Sequence, residues 1–188
     1  MSDCHIVFIH GYTSSSRGNW YPGIAVLLKE RGVDFNMPDL PGGKRPHLAD
    51  WLEAVHQAVQ TSSKPLVFVG HSLGTRALLL YLEKYRPQVE AAFLVAAFNN
   101  EVYNAGRYDG KTYPDFFEHK IDLSIIKPLV RKFVVIHSTD DTSIPYSQGM
   151  EIAHDLHAEL ITYTDSDHFS DPKNAEVVFA ELQRVLQF

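Results

Sequence analysis

Residues 65–80 read PLVFVGHSLGTRALLL. An apolar, β-branched run ends at Gly70, and a leucine-rich run begins at Leu73. Continuous apolar residues over four to six positions suit a strand covered on both faces. The following LGTRALLLYLEKY (73–85) spaces its apolar residues as a helix. The stretch therefore predicts strand, tight turn, helix. Ser72 stands at the junction, with Gly70 and Gly74 two residues away on either side.

Working outward, the same rhythm recurs. HIVFIH (5–10), VDFNMP (33–38), AAFLVAA (91–97), KFVVIHS (132–138) and ELITY (159–163) read as strands. WYPGIAVLLKER (20–31), LADWLEAVHQAVQ (48–60), SQGMEIAHDLHA (147–158) and NAEVVFAELQRVLQ (174–187) read as helices. Pro22 is tolerable in a first helical turn, and Pro38 stops the second strand. Strand and helix in alternation predict crossover units and a mostly parallel α/β sheet with helices on both faces. Functional residues are then expected on loops at the strands' C-terminal ends. Residues 99–128 break the rhythm with a long aromatic stretch, expected to cover part of the pocket mouth.

The bulk properties narrow the class. The 188 residues suit one domain, 1–188, with a single core. Hydrophobic residues at 45% and charged residues at 21% are ordinary globular composition. A formal net charge of −6 argues against nucleic acid or an anionic membrane as partner. The single cysteine, Cys4, excludes an internal disulfide and reads as a small packed hydrophobe. The opening MSDCHIVFIHG has no basic leader, and its apolar run is too short to span a bilayer. The expectation is a soluble, cytoplasmic protein; composition does not speak to its oligomeric state.

Gly70-His71-Ser72-Leu73-Gly74 fits G-x-S-x-G. Three fixed residues at roughly 7% each give on the order of 0.06 chance matches in such a chain, so the motif carries weight. A tight turn holds the serine in a sparsely populated backbone conformation. Side chains at the flanking positions would collide with neighbouring backbone, and glycine has none. The hydroxyl is lifted to a helix N-terminus, where negative charge is favoured.

A serine needs a base. Of ten histidines, His168 in TDSDHFSDP lies on a polar loop after the last strand and before the last helix, where an imidazole can reach over the turn. His71 is expected to point away, His10 to be structural, and His154 and His157 lack a third metal ligand, so no metal is expected. A carboxylate must orient the imidazole. In Thr139-Asp140-Asp141-Thr142-Ser143-Ile144-Pro145 the D-x-x-I-P spacing selects Asp141 and leaves Asp140 to the turn. The order Ser72, Asp141, His168 is that of α/β-hydrolases. The backbone N–H groups of Leu73 and Tyr12, the latter following Gly11, are the expected oxyanion donors.

With these residues in hand, the chain resembles the α/β-hydrolase superfamily over nearly its full length. Within it, the chain is similar to the small serine hydrolases of the retinoblastoma-binding-protein-9 and YdeN type. The resemblance rests on NMPDLP (36–41), DWLEAV (50–55), VGHSLG (69–74), FLVAAF (93–98), HSTDDTSIP (137–145) and DSDHF (165–169). It implies Ser72, Asp141 and His168 as the triad and a compact sheet without a large cap domain. Two departures stand out. HGYTSSS (10–16) differs from that family's glycine-rich loop, and Asp167 stands where a glycine often precedes the histidine. The extra carboxylate is expected to alter the base or to bind a substrate cation. The L-x-C-x-E motif is absent, so retinoblastoma-type binding is not inferred.

The expected function is cofactor-free cleavage of a small ester, thioester or amide through an acyl-enzyme on Ser72. The rival is a binding module on a hydrolase scaffold, holding a ligand or protein in an aromatic mouth of Tyr103, Tyr108, Tyr113, Phe116 and Phe117.

Overall fold

A computed structural model describes residues 3–99, 113–118 and 120–188. Tyr103 and Tyr108 lie outside them. Among the described residues the strands are β1 (His5–Ile9), β2 (Asp34–Asn36), β3 (Leu66–His71), β4 (Ala91–Val95), β5 (Phe133–Ser138) and β6 (Glu159–Tyr163). They form one parallel sheet in the order β2-β1-β3-β4-β5-β6. β1, β3, β4 and β5 are buried along their whole length, as continuous apolar runs require when both faces are covered.

The helices are α1 (Tyr21–Glu30), α2 (Leu48–Val59), α3 (Leu73–Tyr85), α4 (Leu123–Ile126), α5 (Tyr146–Leu156) and α6 (Asn174–Leu186). Period-two alternation sorts the strands' side chains between two cores. Ile6, Phe8, Val67, Val69, Phe93 and Val95 pack with Ile24 and Leu28 of α1 and Val178 and Leu182 of α6. Val7, Ile9, Phe68, Ala92, Leu94 and Val135 pack with Trp51 and Val55 of α2, Leu78 and Leu82 of α3, and Ile152 of α5.

Three details differ from the sequence reading. β2 is confined to Asp34–Asn36, because it pairs on one side only and Pro38 follows two residues on. β4 stops at Val95 because Ala96 takes φ of 50°. The helix α4 is four residues long, too short for a periodic signal, and Asp122 caps it by accepting from the Ser124 N–H.

The topology locates the site. The chain lays β2 on one side of β1, returns to the other side with β3, and proceeds outward to β6. Strand order thus reverses between β1 and β3. The crevice beyond the carboxyl ends of those two strands is where open α/β sheets bind ligands. The loop after β1 begins at His10, and the turn after β3 carries Ser72.

Candidate active site

Ser72 adopts φ 54° and ψ −123°, a conformation that costs a non-glycine residue about 1–3 kcal/mol. The surroundings hold it there. Its N–H donates to the Val95 carbonyl at 2.9 Å, and its own carbonyl accepts from the Thr75 N–H at 2.9 Å and the Thr75 hydroxyl at 2.7 Å. The flanking glycines have steric reasons. A Cβ on Gly70 would lie 2.9 Å from the Gly74 oxygen, and one on Gly74 would overlap the carbonyl oxygen of Ile9. Helix α3 therefore sits directly against the end of β1. Leu73 is its first residue, so the Leu73 N–H has no intrahelical acceptor.

His168 and Asp141 come from the loops after β6 and β5. The Ser72 hydroxyl lies 2.9 Å from Nε2 of His168 and donates to it. Nδ1–H of His168 donates to Asp141, with 2.9 Å to Oδ2 and 3.2 Å to Oδ1. The Asp141 carboxylate is fully covered, whereas the His168 ring remains 12% exposed and faces a cavity. Burial alone would push Asp141 up. Hydrogen bonds from His137 and His168, with backbone donation from Ile144, hold it far below the ordinary carboxylate range.

The two loops are cross-braced. Asp140 accepts from the Ser138 hydroxyl and, at 3.1 Å, from the Asp167 N–H. Asp167 in turn accepts from the Thr142 N–H at 2.9 Å and the Thr142 hydroxyl at 2.8 Å. Asp167, expected to alter the base or to bind a substrate cation, has its carboxylate tying the histidine loop to the aspartate loop, and it is not among the residues lining the cavity. Asp167 has φ 44°, the left-handed region that otherwise favours glycine there and that aspartate tolerates. Phe169, fully buried, anchors the far side of the same loop.

The cavity measures about 590 Å³ and is lined by Tyr12, Ser72, Leu73, Phe98, Tyr113 and His168 together with polar groups such as Asn19 and Lys44. Tyr12 belongs to the loop after β1; its ring lies 5.0 Å from that of Tyr113, and its hydroxyl donates to the Lys44 carbonyl at 3.1 Å. A Cβ on the preceding Gly11 would stand 3.2 Å from the Ser72 Cβ, so this loop presses close to the serine. Phe116, expected at the mouth, is instead wholly buried with its ring 5.1 Å from Trp51. Among the described residues no cluster of three or more His, Cys, Asp or Glu could hold a metal ion. Within the same residues, no helix is long and apolar enough to cross a membrane.

Three residues near the site carried no signal in the sequence. His71 is buried, and its Nε2–H donates to the His168 carbonyl at 2.8 Å. Burial and the neighbouring His168 lower it to about 3, so the ring stays neutral. His137 reaches the same Asp141 oxygen as His168, with Nε2 3.4 Å from Oδ2. Arg76, buried on α3, donates to the Phe116 carbonyl at 2.8 Å and to Oδ1 of Asn99 at 2.7 Å. One guanidinium thus holds two chain segments beside the cavity. The contacts of His71 and Arg76 join positions far apart in the chain, which no local spacing encodes, and that of His137 spans four residues but depends on how the chain turns after β5.

The family model described as serine hydrolase matches residues 6–183. The chain is 30% identical over 166 residues to YdeN of Bacillus subtilis (strain 168), covering 87% of this chain and 85% of that protein. It is 30% identical over 166 residues to the serine hydrolase RBBP9 of Rattus norvegicus, covering 88% and 78%. The crystal structure of the B. subtilis ydeN gene product superposes with a TM-score of 0.86 at 26% identity, covering 98% of this chain and 99% of that one. Est1E from Butyrivibrio proteoclasticus shares the fold, with a TM-score of 0.75 at 16% identity over 100% of this chain and 88% of that one. Similarity along almost the entire chain, on a compact parallel sheet, makes this protein a member of the serine hydrolase family and a hydrolase of the α/β-hydrolase fold.

Proposed function

We propose that the chain hydrolyses a small ester, thioester or amide through an acyl-enzyme on Ser72, with His168 as general base and acid and Asp141 as its orienting carboxylate. The observation that carries this reading is the unbroken relay from the Ser72 hydroxyl to Nε2 of His168 and from Nδ1–H to Asp141, each link 2.9 Å. As Ser72 attacks the substrate carbonyl, His168 accepts its proton, and the buried carboxylate stabilises the imidazolium. His168 returns the proton to the leaving group, and water repeats the sequence to free the acid. The N–H groups of Leu73 and Tyr12 are assigned to the developing oxyanion. The helix N-terminus at Leu73 supports the first, and the tight approach of the Gly11–Tyr12 loop to Ser72 supports the second. A cavity of about 590 Å³ suits a small acyl group with its leaving group. A binder on this scaffold has no use for all three relay members.

A panel of acyl esters and aminoacyl amides of graded chain length tests the reading. Wild-type protein is expected to turn over at least one class, and Ser72→Ala to lose that turnover by about 10³-fold or more. Equal rates for the two proteins contradict it.

A further inference from the structure

We infer that His137 is a positioning residue for the Asp141–His168 pair, acting through the carboxylate as a second imidazole donor. The inference rests on the reading of Ser72, His168 and Asp141 given above. His137 lies in β5, four residues before Asp141, with its side chain completely buried. Its Nε2 lies 3.1 Å from the Ile144 carbonyl and 3.4 Å from Oδ2 of Asp141, so one N–H is shared between the two acceptors. The same Oδ2 accepts Nδ1–H of His168 at 2.9 Å, while Oδ1 accepts the N–H groups of Ser143 and Ile144 at 2.8 Å each. The carboxylate is thereby gripped on every side, and the two imidazoles meet on one oxygen.

The packing around His137 makes room for a ring rather than for hydrocarbon. Gly149 of α5 faces it, and a Cβ there would overlap Nδ1 of the imidazole. That nitrogen is buried without a hydrogen-bond partner. An unpartnered buried nitrogen costs free energy that an aliphatic side chain at this position would avoid. The compensating contact is the one to Asp141. By drawing charge from Oδ2, His137 weakens the hold of Asp141 on the His168 proton and fixes the rotamer of the carboxylate. Removing that donor leaves Oδ2 more basic, so the His168 imidazolium is better stabilised and its titration midpoint rises. The other ionisable groups around the pair are His71, whose ring centroid lies 5.2 Å from that of His168, Asp140 and Asp167 in the two loops, and Tyr146 of α5, whose ring lies 5.8 Å from His137. None of them is itself replaced in the variants, and only Tyr146 loses a ring contact with His137.

The test compares wild type, His137→Leu and His137→Gln. His168 is titrated by NMR of its ring protons, which needs no turnover, and kcat and kcat/KM are followed against pH with p-nitrophenyl acetate. The leucine variant is expected to raise the His168 midpoint by about 0.5–1 pH unit. The acid limb of kcat/KM moves up with it, and kcat falls by about 10-fold with little change in KM. Glutamine, whose amide N–H replaces Nε2–H, is expected to stay near wild type in both readouts. Gly149→Ala, which displaces the ring without removing it, is expected to move the midpoint in the leucine direction and supplies the test if the leucine variant does not fold. A folded His137→Leu with unchanged His168 titration and unchanged kcat overturns the inference, as does a glutamine variant that shifts as far as leucine. Turnover that survives Ser72→Ala would instead overturn the underlying reading, and the NMR titration would still judge His137.

Discussion

The turn that carries Ser72 and the pair of loops that carry Asp141 and His168 are held by different physics. At the turn the constraint is steric and local. Gly70 and Gly74 sit where a methyl group would meet backbone, and Ser72 is kept at φ 54° by bonds to Val95 and Thr75. In the loops the constraint is polar and long-range. Asp140, Asp167 and His71 each bond across from one segment to another, His137 reaches Asp141 from the strand that precedes it, and together they fix where the imidazole and its carboxylate meet. Damage to the turn should therefore appear first in stability. Damage to the loops should appear first in chemistry.

The largest effect expected from breaking the loop side is that of Asp141→Asn. An amide in place of the carboxylate presents a donor to Nδ1–H of His168 and favours the wrong tautomer. By analogy with triads in other hydrolases, kcat should fall by about 10⁴-fold, about 5.5 kcal/mol of transition-state stabilisation. Steady-state kinetics on any substrate the wild type accepts reads this directly, and a loss below tenfold would mean that Asp141 does not orient the base. On the turn side, Gly74→Ala forces a methyl group into the Ile9 carbonyl, an overlap that no rotamer change relieves. The expected cost is about 3 kcal/mol, at the upper end of overpacking. A fall in Tm of about 6–12 °C should follow, followed by circular dichroism. An unchanged Tm would show that α3 can move away from β1 freely, and the steric account of the turn would fail.

That division also explains what could be read from the chain alone. The alternation of strands and helices was legible because β1, β3, β4 and β5 are continuous apolar runs buried along their whole length, whereas the order of the strands and the division of the expected single core between two faces of the sheet were not. Gly70, Ser72 and Gly74 were legible because a steric rule leaves a spacing behind. Asp141 and His168 were legible because parallel topology brings the loops after β5 and β6 to the same edge as the loop after β3. His71 and His137 were not, since a histidine in an apolar strand gives no sign of which carbonyl or carboxylate it meets. Asp167 shows the same limit: nothing beside it in the chain points to its partner Thr142, 25 residues earlier. The aromatic stretch divided similarly, with Tyr113 at the cavity and Phe116 absorbed into the core beside Trp51.

The central claim is that one strained serine, activated by His168, is the nucleophile. Treating wild type and Ser72→Ala with a fluorophosphonate and locating the adduct by peptide mass spectrometry tests it most directly. The account expects a stoichiometric adduct on the peptide containing Ser72 in the wild type and none in the variant. An adduct on a different residue, or undiminished labelling of Ser72→Ala, would contradict it.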